Sequence, residues 1–135
     1  MRLRSGVVVI ENEQVLLIKR VKNGRTYYVF PGGGVEVGET NEQAAIREAF
    51  EEVGVYVQLM GLICEVAFNG TQYFYEAKIS GGEVGTGCGE EYTNPAIGSG
   101  TYEPVWISCN QLPVLDVRPE EVVDWIITRK FRVEK

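Results

Sequence analysis

The sequence predicts an α/β domain, and three observations carry that expectation. Six runs rich in β-branched and aromatic residues recur along the chain, two other segments carry helix signals at their ends, and 44% of the 135 residues are hydrophobic. No apolar run reaches the ~18 residues that a membrane span needs. The length suits one domain, residues 1–135, built on a single core.

Taken in order, "SGVVVIEN" and "QVLLIKR" flank "ENEQ" and read as a β-hairpin. "RTYYVFPGG" is a third strand, stopped by Pro31 and the glycines after it. A helix then starts near Thr40. "TNEQ" is a capping box, with Thr40 as cap and Gln43 reaching back, and Gly54 closes the helix in a left-handed cap. "VYVQLMGLICEVAFNG" and "TQYFYEAKIS" are strands turned at Asn69–Gly70. The glycine-rich stretch 80–100 reads as a long loop, the usual place for a lid. "TYEPVWIS" is a further strand. "RPEEVVDWIITRKF" is a C-terminal helix, with Pro119 in its first turn, acids next and bases at its end.

Composition removes several chemistries. The chain has no histidine, which excludes Ser-His and Cys-His triads and His-ligated zinc. Cys64, Cys88 and Cys109 are odd in number and form no C-x-x-C pair, so neither a disulfide framework nor a zinc site is indicated. The N-terminus lacks a small-residue cleavage site, so a cytoplasmic location is expected. The net charge of −6 argues against a nucleic-acid partner. Residues 1–25 nevertheless hold six bases and two acids, whereas residues 26–124 hold three bases and sixteen acids. An acidic centre beside a basic flank suits binding a cation and an anion together.

The acids crowd most closely in "REAFEEVG", directly after "PGGGVEVGE". On a helical wheel, with Glu48 at zero, Glu52 falls near +40° and Glu51 near −60°, while Ile46, Ala49, Phe50 and Val53 gather on the far side. One face is therefore apolar and the other carries three carboxylates. Like charges at this spacing repel. A hard cation such as magnesium or manganese, which prefers oxygen ligands, turns the repulsion into attraction, neutralises phosphate charge and activates water. The preceding glycines permit positive φ and close backbone approach, and their carbonyls are further candidate ligands. The combination suits hydrolysis of a phosphoanhydride.

At this point the residues resemble a known family, the Nudix hydrolases. Its motif is G, five residues, E, seven residues, then R-E-U-x-E-E-x-G-U, where U is aliphatic. Here "GGVEVGETNEQAAIREAFEEVGV" places Gly33, Glu39, Arg47, Glu48, Glu51, Glu52 and Gly54 at every fixed position, with Ala49 and Val55 at the U positions. The resemblance implies an α/β/α sandwich with a mixed β-sheet. It also implies a catalytic set of Arg47, Glu48, Glu51 and Glu52, with the three glutamates and the carbonyls of Gly32 or Gly33 holding Mg2+ or Mn2+. Arg47 and Glu39 would pair and orient that set. The implied reaction is hydrolysis of a nucleoside diphosphate linked to another moiety, with a dNTP, an NTP or a nucleotide sugar as substrate. Either Glu48 or an acid outside the motif would take the proton from water.

Outside the motif, Arg4 and Arg20 suit phosphate contacts and join Glu39 as candidate substrate-binding residues. Glu90 and Glu91 in the lid, and Glu103 before "PVWIS", are candidate bases or extra ligands. A non-catalytic nucleotide sensor and an RNA-end hydrolase of the same fold are the rival readings. Oligomeric state stays open, a homodimer included.

Overall fold

A computed structural model of the chain describes residues 3–67, 70–85 and 101–133. The strands are β1 (Leu3–Glu11), β2 (Gln14–Lys22), β3 (Arg25–Val29), β4 (Gly32–Gly34), β5 (Val55–Ala67), β6 (Thr71–Gly82), β7 (Glu103–Ser108) and β8 (Val117–Arg118). Helix α1 (Asn41–Val53) follows β4; a 3-10 helix (Cys109–Val114) follows β7; and α2 (Glu120–Val133) follows β8. The strands form one mixed sheet in the order β5-β6-β1-β2-β3-β8, with β4 paired to β1 and β7 to β2. Two pairings are parallel, β1 with β6 and β3 with β8.

The expected hairpin forms, with Asn12 and Glu13 both at positive φ in its turn. It is short: only Ile10↔Val15 and Glu11↔Gln14 pair. Towards its N-terminus β1 leaves β2 and pairs with β4 instead, at Arg4↔Gly34, Ser5↔Gly33 and Gly6↔Gly32. Pro31 has no N–H to offer, but its carbonyl accepts from Val7 N at 2.9 Å.

Both faces of the central strands are covered, which explains their continuous apolar runs. Val8, Val15, Leu17 and Phe74 face one side, with α2 and the 3-10 helix against them. Val7, Val9, Leu16, Ile18 and Tyr75 face the other, with Ala45, Ala49 and Val53 of α1. The single core expected from length is thus divided by the sheet into two, giving the α/β/α arrangement. Phe74 and Tyr75 are both buried because adjacent residues on a strand serve opposite faces.

Helix α1 begins as its sequence requires. Thr40 accepts from Gln43 N at 3.0 Å, and the Gln43 side chain accepts from Thr40 N at 2.9 Å. Gly54 ends the helix at φ 90°. Other boundaries shift. Ser80, Gly81 and Gly82 belong to β6 rather than to a loop, because Val55 and Tyr56 pair with Gly82 and Gly81. Pro119 precedes α2, where its carbonyl accepts from Val122 N. Glu90 and Glu91 lie outside the described residues. Among the described residues, no helix is long and apolar enough to cross a membrane.

Removing the Thr40 hydroxyl deletes half of the capping box. Thr40→Ala should therefore cost about 1 kcal/mol. Thermal denaturation should show the midpoint falling by a few degrees, with circular dichroism at low temperature unchanged.

Candidate active site

Helix α1 lies on the sheet through Ala45, Ala49 and Val53, and its buried arc reaches further than the wheel suggests. Glu52 is buried at 6% exposure, while Ile46, expected on the apolar side, is exposed. Phe50 sits at the edge, stacked on Tyr56 with ring centres 4.8 Å apart. The acidic face is therefore not opposite the core. Glu48 and Glu52 point to the rim of the sheet where β4 runs beneath them.

Glycine is needed there for close approach rather than for positive φ. A Cβ on Gly33 would lie 2.3 Å from the Glu48 carboxyl carbon, and one on Gly32 would lie 2.5 Å from Ser5 O and 2.7 Å from Gly6 Cα. With no side chain in the way, Gly32 N donates to Glu52 Oε1 at 2.8 Å. The backbone of β4 thus fixes one carboxylate, and the gap left by Gly33 receives another.

Arg47 holds the rest together. Its Nε donates to Glu39 Oε2 at 2.7 Å and its Nη2 donates to Glu39 Oε1 at 3.0 Å. Nη1 donates to Glu48 Oε2 at 3.0 Å and to Glu51 Oε1 at 3.1 Å, and Nη2 also reaches Gly34 O at 2.8 Å. Charge-assisted forks of this kind are strong and directional. They hold the Arg47 guanidinium well above its usual range, chiefly through Glu39. The Glu39 carboxyl is held below its ordinary value by Arg47 and then by the Glu36 N–H.

Among the described residues, no three acids already converge as a ready-made metal site. Glu51 is half-buried and held by Arg47, Glu48 is drawn towards Arg47, and Glu52 is drawn towards Gly32. The donor set still suits a hard cation: carboxylate oxygens above, and below them a glycine cradle that a side chain would fill. Glu48, Glu51 and Glu52 are the residues that could hold one.

A cleft of about 1160 Å³ opens beside these carboxylates. Glu48, Glu52, Gly32 and Gly33 line one end, with Arg4 and Arg20 also in its wall. Arg20 is wedged between rings, 3.8 Å from the Tyr102 centre and 5.7 Å from that of Tyr27, and its Nε donates to Thr101 O at 3.2 Å. Arg118 covers Tyr27 at 4.3 Å and forks onto Asp116 at 3.1 and 2.9 Å. Arg118 and Asp116 escaped the sequence reading, because only the β3–β8 pairing brings them to the cleft beside Tyr27, an aromatic that the sequence marks as able to stack a base. Ser5, buried at 2% in the cleft wall, also escaped it. Glu103 starts β7 opposite Lys19, is exposed, and does not line the cleft.

The profile of the NUDIX domain family matches residues 1–126. A Bacillus subtilis (strain 168) protein with the provisional name 8-oxo-dGTP diphosphatase is 32% identical over 114 residues, covering 82% of this chain and 68% of its own length. An RNA pyrophosphohydrolase of Blochmanniella pennsylvanica (strain BPEN) is 36% identical over 78 residues, covering 58% of this chain. Those residues span just under half of that relative, 46%. Among solved structures, a NUDIX hydrolase from Nitrosomonas europaea superposes with a TM-score of 0.74 at 18% identity, covering 99% of this chain and 90% of its own.

The two glycines should respond differently to a methyl group. In Gly32→Ala the methyl meets backbone, so unfolding experiments should show a loss of about 1–3 kcal/mol. In Gly33→Ala it meets the movable end of Glu48, so stability should change little while Glu48 is displaced, as a crystal structure would show. The Glu39–Arg47 pair adds a pH dependence. Because the folded pKa of Glu39 is lowered, the pair's stabilisation is complete above the ordinary value of 4.5 and is lost as pH falls through the lowered value. Melting curves of Glu39→Gln should lack that part of the acid loss.

Proposed function

The chain belongs to the Nudix family of hydrolases, and from that premise we propose that it hydrolyses the pyrophosphate linkage of a small nucleoside di- or triphosphate derivative with Mg2+ or Mn2+. The observation that carries the reading is the pairing of Glu48 and Glu52 with the Gly32–Gly33 cradle at one end of a cleft whose wall also holds Arg4 and Arg20. We take residues 1–135 as one domain.

In this reading Glu48, Glu51 and Glu52, with the carbonyls of Gly32 or Gly33, hold the cation. When bound, the cation would neutralise phosphate charge and lower the pKa of water. Arg4 and Arg20 bind phosphate oxygens, and the rings beside Arg20 restrict where its fork can point. Arg47 orients Glu48 and Glu51, and Glu39 anchors Arg47 against the pull of the other two. The water oxygen attacks phosphorus, the bridging P–O bond breaks, and its electrons leave with the departing phosphate. We assign the proton released by water to a carboxylate oxygen of Glu48, which fills the gap over Gly33 at the cleft; Arg47 holds its Oε2, as Gly32 N holds Glu52 Oε1.

The substrate class follows the relatives' names only as far as nucleotide pyrophosphates. We propose a mononucleotide over an RNA end, because the chain is acidic, at −6 overall. A cytoplasmic location suits the free thiols of Cys64 and Cys109.

A panel of dNTPs, 8-oxo-dGTP, NTPs, nucleotide sugars and a 5′-triphosphorylated RNA, assayed with Mg2+ and with Mn2+, tests the reading. Release of a nucleoside monophosphate or pyrophosphate from a mononucleotide is expected, with Glu52→Gln and Glu48→Gln each slower by at least about 100-fold. Tight nucleotide binding without turnover would instead make the protein a sensor, and turnover confined to RNA would reassign the substrate.

A further inference from the structure

We propose that Ser5 is a positioning residue of the carboxylate site, its hydroxyl hydrogen-bonding to water that surrounds a cation held by Glu48 and Glu52. The inference rests on the metal-dependent reading above and adds a residue outside the glycine loop and α1. Ser5 is buried at 2% exposure, and its Oγ is the buried side-chain polar atom that has no hydrogen-bond partner among the described residues. A buried hydroxyl with no partner is costly, and native structures rarely keep one unless a water, an ion or a ligand completes it.

Register shows where this hydroxyl stands. Ser5 pairs with Gly33 on one side and with Tyr73 on the other. Residues directly opposite each other on paired strands project to the same face. The face on which Gly33 lacks a side chain is the one occupied by the Glu48 carboxyl, 2.3 Å from the position a Cβ would take. Ser5 therefore projects beneath α1, onto the face that Val7 and Val9 fill with apolar side chains. Strand alternation calls for another aliphatic residue at this position, and a hydroxyl stands there instead. Ser5, Gly32, Gly33, Glu48 and Glu52 all line the same end of the cleft.

The chemistry fits a hydrated cation. Magnesium usually keeps several of its waters, and those waters are strong donors. A serine oxygen accepts two hydrogen bonds and donates one, so Ser5 can accept a hydrogen bond from such a water and donate one to a neighbouring acceptor. Partners one step removed from a metal typically change its affinity by about 10–100-fold.

The test is titration of Mn2+ alone into the full-length wild type, Ser5→Ala and Glu52→Gln, followed by calorimetry, together with melting curves without metal. The proposal expects Ser5→Ala to bind Mn2+ about 10–100-fold more weakly, while melting at or above the wild-type midpoint in metal-free buffer because an unsatisfied hydroxyl has gone. Wild-type affinity in Ser5→Ala overturns the Ser5 proposal alone. Weaker binding matched by an equal loss of metal-free stability also overturns it, since Ser5 would then be a packing residue. A wild type that does not bind Mn2+, or a Glu52→Gln that binds as well as the wild type, removes the metal-dependent reading and the Ser5 proposal with it.

Discussion

Strand β4 runs so close beneath α1 that a methyl group at Gly33 would enter the Glu48 carboxyl, and one at Gly32 would enter the backbone of β1. That proximity organises the whole site. It puts Gly32 N on Glu52, brings the Gly34 carbonyl to Arg47, and seats β4 on the part of β1 that the hairpin has left unpaired. The short β1–β2 hairpin, the proline that ends β3 and the glycine run are therefore parts of one device. Each lets the chain bring backbone, rather than side chain, against a row of carboxylates.

Backbone proximity alone would not hold that row, because the acids repel one another. Arg47 supplies the counter-charge by bonding to Glu39, Glu48 and Glu51 at once. Its strongest partner is Glu39, which lies across the glycine loop rather than on α1, so the guanidinium is anchored from outside the helix. The carboxylates are accordingly spread between Arg47 and Gly32 instead of meeting at one point. In the proposed reading, Glu48 and Glu51 would hold a cation only by moving part-way from Arg47, and the Glu39 fork would keep Arg47 in place.

Features determined by neighbours in sequence were legible. The capping box at Thr40, the left-handed cap at Gly54, the hairpin turn and the long strands all depend on local chemistry, and the structure shows them where expected. Features determined by tertiary contact were not. A helical wheel puts Glu48, Glu51 and Glu52 on one arc but cannot tell which side of the helix meets the sheet, so it turns Ile46 inward and Glu52 outward, the reverse of the burial found. Three consecutive glycines carry no alternation, so β4 was invisible as a strand. The ladder of Tyr102, Arg20, Tyr27 and Arg118 joins residues that are distant in the chain. Ser5 reads as an ordinary small residue until its burial and missing partner are seen.

The central claim is that a divalent cation sits between α1 and the glycine loop, and a second acidic region makes the claim sharp. Asp116, just before β8, and Glu120, Glu121 and Asp124 of α2 line the same cleft and are the obvious competing home for a cation. Paramagnetic broadening by substoichiometric Mn2+ in amide NMR spectra separates the two directly. The account predicts that the amides of Ser5, Gly32, Gly33 and Glu48–Glu52 disappear first. Broadening that begins at 116–124 and spares Gly33 and Glu52 would contradict it.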